Sequence, residues 1–207
     1  MSNFFFLLFR EKYPTVLGFV VKIILSFFGC KIGKNFKVDK FPKVIFTKGK
    51  NIIISDNVTF YGNIEIRCYK DSKLIIESNC KLDEGVRIIS ANDSTVKIEK
   101  DNVIGCYTII NGGGNITIGR KGLISSFVSI ASSDHGMSKK SLMRDQNFTY
   151  GDIIIEEDVL LGSHCTVLKN LKIGKGAIVG ANSVVTRSIE SFSINVGAPS
   201  KVIGHRE

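Results

Sequence analysis

The feature that most constrains this chain is a period of six. Ile54, Ile76, Ile98, Ile118, Ile155 and Ile173 each open a segment in which a second apolar residue follows six positions later (Phe60, Leu82, Ile104, Ile124, Leu161, Val179). A third follows six after that (Ile66, Ile88, Ile110, Ile130, Val167, Val185). Six-residue spacing matches no 3.6-residue stripe, so helix is excluded over this stretch, and Gly, Asn and Asp recur where the chain must turn. The pattern predicts a three-sided coil. Each hexad supplies a short strand whose first aliphatic side chain points inward, and a smaller residue four later (Val58, Cys80, Gly122, Val128, Cys165, Ala177, Ser183) fills the corner. One such coil cannot bury its apolar column alone, but stacked coils can.

The distances between coil starts carry a second prediction. Ile54, Ile76 and Ile98 are 22 residues apart, Ile155 and Ile173 are 18 apart, and Ile118 to Ile155 spans 37, which is 19 more than three bare hexads require. The surplus falls after the third hexad each time, so one edge of the prism is expected to bulge. A long loop is expected at about 136–154, and its Ser, Lys, Asp, Asn and Gly content suits solvent. Loops of that length in a compact repeat usually carry function.

The first 29 residues differ. Phe4 to Phe9 is apolar and Val16 to Phe28 is apolar apart from Lys22 and Ser26. Neither run reaches the roughly 18–20 residues of a spanning helix. A signal peptide fits poorly, because no basic region precedes Phe4 and no small-x-small site follows Phe28. Two expectations remain for residues 1–29: a helical cap over the first coil, or an interfacial segment making peripheral membrane contact through residues 1–28. Residues 30–207 form the repeat domain.

Five cysteines (Cys30, Cys68, Cys80, Cys106, Cys165) without a C-x-x-C pair fit reduced, buried thiols of a cytoplasmic protein rather than disulfides or a zinc site. The formal charge of +9 points to an anionic partner. Nucleic acid is not expected, since the basic residues are scattered singly and no recognition motif is present.

From Ile32 to Arg206, and most strongly from Ile118 onward, the sequence resembles the hexapeptide-repeat acyltransferases, specifically the sugar O-acetyltransferases similar to galactoside and maltose acetyltransferases and to capsule and O-antigen O-acetyltransferases. Ile118-Gly119 leading to Ser132-Ser133-Asp134-His135-Gly136 carries the resemblance. So do Leu161-Gly162-Ser163-His164, Val179-Gly180-Ala181-Asn182-Ser183-Val184-Val185-Thr186-Arg187 and Gly197-Ala198-Pro199-Ser200-Lys201-Val202-Ile203. The resemblance implies an all-β fold, a left-handed parallel β-helix of hexapeptide repeats with a short N-terminal helical segment, assembled as a homotrimer with acetyl-CoA between neighbouring prisms. The handedness rests on the resemblance alone, because general chirality rules favour the opposite hand for parallel crossovers.

The implied chemistry is transfer of acetyl from acetyl-CoA, a co-substrate, to a hydroxyl of a saccharide acceptor. The positive charge and the apolar N-terminus together suggest, as acceptor, an acidic surface polysaccharide (capsule or O-antigen) or its lipid-linked precursor. Of the three histidines, His135 matches the family's general base, and imidazole suits that task at neutral pH. His164 is read as structural or groove-lining and His205 as incidental, or with Arg206 as reaching a cofactor phosphate. Asp134 adjoins His135, yet neighbouring side chains on extended backbone point apart, so a carbonyl or another carboxylate could orient the ring instead. By the same resemblance the cofactor contacts are Ser163, Ala181, Thr186, Arg187 and Lys201, and no metal is required.

Three positions depart from the pattern: Leu160 stands where many relatives have tryptophan, Gly204 where a second tail arginine is found, and Gly105 where an asparagine assists. Asn111 is a candidate substitute, and the oxyanion donor stays unassigned. The competing expectations are an N-acyltransferase of an amino sugar, a non-catalytic β-helix, and a zinc carbonic-anhydrase-like protein. The first is weakened by the lack of an appended nucleotide-binding or helical domain, and the last by the lack of suitably spaced histidines.

Overall fold

The computed structural model describes residues 12–207. The apolar run Phe4–Phe9 lies outside the described residues. The repeat domain is a left-handed parallel β-helix of about seven turns. Its three faces are sheets of seven, nine and seven strands, in which neighbouring strands come from successive coils except for the last strand of the second sheet, the antiparallel return Lys201–His205.

The predicted phasing is the observed register. Ile54, Ile76, Ile98, Ile118, Ile155 and Ile173 stack directly on the first face. Phe60 to Val179 stack on the second, and Ile66 to Val185 on the third. A further coil precedes these, with Ile32, Val38 and Val44 pairing to Ile54, Phe60 and Ile66. Nearly every inward residue is fully buried, and the columns form a single apolar core. Four cysteines belong to that core; burial pushes the Cys68 and Cys80 thiols up to about 11.

Two of the three corners are tight. At the corner between the first and second faces Asn35, Asn57, Asn79 and Asp101 adopt φ between 52° and 64°, a region Asn and Asp tolerate better than other side chains. Their side chains run as a ladder, Asn35 Nδ2 to Asn57 Oδ1 at 3.0 Å, Asn57 Nδ2 to Asn79 Oδ1 at 3.1 Å and Asn79 Nδ2 to Asp101 Oδ1 at 2.8 Å. Higher up, the same corner carries Lys121, Asp158 and Gly176, and Glu157 there pairs with Arg120 and Lys175. The third corner takes all the extra residues, as the coil lengths predict. Its bulges lean on one another through Lys70 N–H to Thr47 Oγ1 at 3.0 Å and Asn115 N–H to Asp152 Oδ1 at 3.0 Å.

Helix α1 (Tyr13–Phe27) lies against the first coil. Pro14 suits its first turn, where an N–H would lack a partner. The helix ends where Gly29 turns at φ +90°, with the N–H groups of Gly29 and Cys30 returning to Ser26 O and Leu25 O. Gly18, Val21 and Leu25 are its buried residues. A methyl group on Gly18 would sit 2.0 Å from Phe36 O, so the close approach of helix to prism requires glycine there.

The Arg120 and Lys175 cations hold the Glu157 carboxyl at about 2, against the usual 4.5. A depressed carboxyl stabilises the fold fully above the unfolded value and loses that contribution as pH falls through the folded value. Thermal melts between pH 5 and 2 should therefore show Glu157→Gln losing less stability on acidification than wild type. Parallel acid limbs for the two proteins would refute the assignment.

Candidate active site

The excursion of the fifth coil begins at a buried hydroxyl. Ser132, wholly buried, lies with Oγ 3.0 Å from Gly114 O and 3.2 Å from Asn111 O, and it accepts the Gly114 N–H at 2.9 Å. Its carbonyl accepts the Gly151 N–H at 3.1 Å, so the two ends of the excursion are fastened at one point. Between them Ser133–His135 pairs antiparallel with Phe148–Tyr150, in register Ser133 to Tyr150, Asp134 to Thr149 and His135 to Phe148. The tip is stitched by Gln146, whose Nε2 donates to Ser138 O at 2.8 Å and Ser141 O at 3.1 Å while its Oε1 accepts the Ser138 N–H at 2.7 Å. The long loop is thus an ordered arm.

Strand alternation sends Asp134 and His135 to opposite sides. Asp134 faces Lys169 of the sixth coil, with Nζ to Oδ2 at 3.7 Å, and Lys169 also bonds Thr149 Oγ1. His135 is exposed, and its ring lies 4.0 Å between centroids from Phe148 at an interplanar angle of 38°. Among the described residues its ring nitrogens make no hydrogen bond. Asp134 therefore anchors the arm to the prism rather than orienting the imidazole. Phe148 and Lys169 were invisible to sequence reasoning, because the pairing that aligns them joins two halves of a segment with no alternating pattern.

The residues assigned to the cofactor fall into two groups. Ser163 and Ala181 are stacked one coil apart in the corner between the second and third faces, where Asn182 N–H donates to Ser163 O at 2.9 Å. A methyl group on the neighbouring Gly162 would lie 2.6 Å from Ala181 N, so the close stacking of the two coils requires glycine there. Below them a groove of about 390 Å³ runs over the second face, lined among others by Leu123, Ser125, Ser126, Leu160 and Ser163. Thr186 and Arg187 leave the last strand of the third face. Arg187 and Lys201, remote in sequence, line one cleft of about 350 Å³ with Glu190, Asn195 and Ser200.

His164 turns the same corner as Ser163 at φ 60°. Its ring stacks on Phe127 at 4.8 Å and 4°, and Phe127 stacks on Tyr107 at 5.3 Å and 14°. Arg206 bonds Asp158 at 2.8 Å and Gly176 O at 3.0 Å, which ties the tail to the prism. Among the described residues no group of three His, Cys, Asp or Glu side chains is placed to hold a metal ion.

Residues 152–187 match the bacterial transferase hexapeptide (six repeats) family. The chain is 33% identical over 164 residues to the dTDP-4-amino-4,6-dideoxy-D-glucose acyltransferase of Escherichia coli, covering 76% of this chain and 81% of that one. The chain belongs to the hexapeptide-repeat acyltransferases. This acyltransferase is also 31% identical over 157 residues, 70% of its length and 80% of the relative's, to the putative lipopolysaccharide biosynthesis O-acetyl transferase WbbJ of Escherichia coli K12. Its fold matches AntD, an N-acyltransferase from Bacillus cereus solved with dTDP-4-amino-4,6-dideoxyglucose and coenzyme A (TM-score 0.63, 22% identity, 90% and 89% of the two chains). The polySia specific acetyltransferase NeuO matches it with TM-score 0.56 and 24% identity over 85% and 74%. That amino-sugar acyltransferase aligns with this chain over 81% of its own length, so the size of the chain does not weigh against an amino-sugar acceptor.

Removing the Ser132 hydroxyl takes a partner from the half-buried N–H and C=O of Gly114, a loss of about 1 kcal/mol. In limited proteolysis, Ser132→Ala should be cut earlier within residues 133–151 than wild type, with the prism's later cleavage pattern unchanged. Equal cleavage rates would mean the arm is held elsewhere.

Proposed function

We propose that this acyltransferase moves an acetyl group from acetyl-CoA to a sugar hydroxyl, of a surface polysaccharide or its precursor, in the cytoplasm. The observation that carries the reading is His135: an exposed imidazole with no hydrogen bond among the described residues, held out on a tethered arm beside the prism. A hydroxyl is a poor nucleophile until a base takes its proton as the carbon–oxygen bond forms, and neutral imidazole is matched to that step at pH 7. The acceptor oxygen attacks the thioester carbonyl while His135 takes its proton. The tetrahedral intermediate then collapses, expelling the coenzyme A sulfur, and the imidazolium returns its proton to that leaving group. Ser163 and Ala181 would let the pantetheine arm lie close to the backbone, Thr186 would contact it, and Arg187 and Lys201 would meet its phosphates.

A homotrimer completes this proposal. His135 rises at the edge after the third face, whereas Ser163 and Ala181 lie at the edge before it, and the five residues between correspond to roughly 17 Å of strand. Reacting atoms must approach to about 3–3.5 Å. A neighbouring prism that sets its arm against this corner supplies the base where one chain alone leaves the two groups apart.

The alternative acceptor is the amine of an amino sugar. It is favoured by the 33% identity to the Escherichia coli dTDP-4-amino-4,6-dideoxy-D-glucose acyltransferase. Neighbours solved with coenzyme A support acyl-CoA as donor for either acceptor.

Release of free thiol from acetyl-CoA, measured with neutral and acidic oligosaccharides and with amino-sugar nucleotides, separates the two readings. Turnover confined to amino sugars would overturn the hydroxyl assignment. With the productive acceptor, His135→Ala should lower kcat about a hundredfold or more, and an unchanged rate removes the base.

Replacing both Arg187 and Lys201 by Ser should raise KM for acetyl-CoA about tenfold. KM for acetyl-pantetheine, which lacks the nucleotide phosphates, should stay the same. Equal effects on both donors would argue against phosphate contact.

A further inference from the structure

Nearly all of the chain's net charge sits at one end. Residues 12–50 hold nine lysines against Asp39 alone, which is +8 of the formal +9, so the remaining coils are close to neutral. The chain path turns this into a ring. Lys31 lies on the first face of the first coil, Lys34 in the next corner, Lys37 on the second face, Lys43 on the third and Lys48 and Lys50 in the last corner, all of them exposed. Lys43 and Lys48 pair with Glu65 and Asp71 of the second coil. Lys31, Lys34 and Lys37 have no carboxylate partner among the described residues.

Inside that ring lies helix α1. Its outward side is apolar: Val16 and Phe19 are each 63% exposed, Ile23 53% and Phe27 84%. These positions recur at three- and four-residue steps, so they share one side of the helix. Lys22, the one cation within the helix, is turned inward to bond Gly33 O at 2.8 Å, which leaves the outward side without charge. The same apolar surface continues into a cleft of about 510 Å³ between the helix and the first coil, walled by Phe28, Phe41 and Ile45.

We propose that this end of the prism docks on an anionic lipid bilayer, with the outer side of α1 in the interface and the lysine ring among the headgroups. An apolar centre within a cationic rim matches the layering of such a surface, acyl chains beneath a plane of negative charge. The lysine stems can lie along the apolar surface while their ammonium groups reach the phosphates. No helix among the described residues is long and apolar enough to cross a membrane, so the contact is peripheral. A second copy packed on the same surface would oppose two rings of like charge. The residues before Lys12 include one Arg and one Glu, which cancel and so add no net charge to this end. This docking is independent of the acceptor's identity and of His135.

The test is co-sedimentation of the full chain with vesicles of phosphatidylcholine alone and of phosphatidylcholine mixed with phosphatidylglycerol. Binding is expected to the anionic vesicles only and should weaken as salt rises. The variant with Phe19→Ser and Phe27→Ser should bind at least tenfold less, and the variant with Lys31, Lys34 and Lys37 each changed to Ser should bind less and lose most of its salt dependence. Both should keep wild-type melting temperature and thiol release with a soluble acceptor, which separates lost docking from lost folding or catalysis. Equal binding to neutral vesicles, or unchanged binding by both variants, would overturn the proposal. So would a phenylalanine variant that changes the oligomeric state without lipid, which would assign the face to a second copy. Stronger binding after deletion of residues 1–11 would assign the face to that segment and would likewise overturn it.

Discussion

Everything in this protein depends on vertical registration of its inward aliphatic columns. A single coil leaves its inward side chains open above and below, so its burial is completed by its neighbours. Ile54 under Ile76 under Ile98 is one such column, and the backbone bonds that hold the strands parallel also fix the stacking. Contact with adjacent coils alone makes the molecule close to one-dimensional. Its two ends are where the column must be closed by something other than another coil. At one end this is α1, through Val21 and Leu25. At the other, Ser193–Val196 pairs with Ile178–Val179 and the chain folds back as Lys201–His205.

The registration explains what the sequence could and could not tell. The sheets were legible, because period six with an inward aliphatic is a statement about which side chain faces which. The bulging edge was legible from subtraction of coil lengths. Handedness was not, since both hands stack the same columns; resemblance to a family had to supply it. The corners were half legible. Asn35, Asn57 and Asn79 announce a left-handed turn, whereas Tyr107, Phe127 and His164 adopt the same φ with side chains that give no such signal. The stacking of those rings is a product of the turn and is absent from any propensity scale.

The motifs name candidate residues, His135, Ser163, Ala181, Thr186, Arg187 and Lys201, but not their arrangement. That Arg187 and Lys201 share a cleft follows from the return of the tail across the second sheet, a long-range pairing that no local pattern encodes. The arm is a similar case. Its ends were visible as a surplus of 19 residues, but its order comes from Ser132, Gln146, Lys169 and Thr149, polar residues whose partners lie across the excursion or in another coil.

The uneven coil lengths shape the surface as well as the chain. Coils of 22 residues push their extra backbone outward at the third edge, and the final step of 18 adds none. That edge is a rib that stops short. The arm springs from the last thick coil and leans on the next one through Asp134 and Lys169. Lengthening or shortening it touches no buried column, so the outline of this edge can vary while the interior stays fixed.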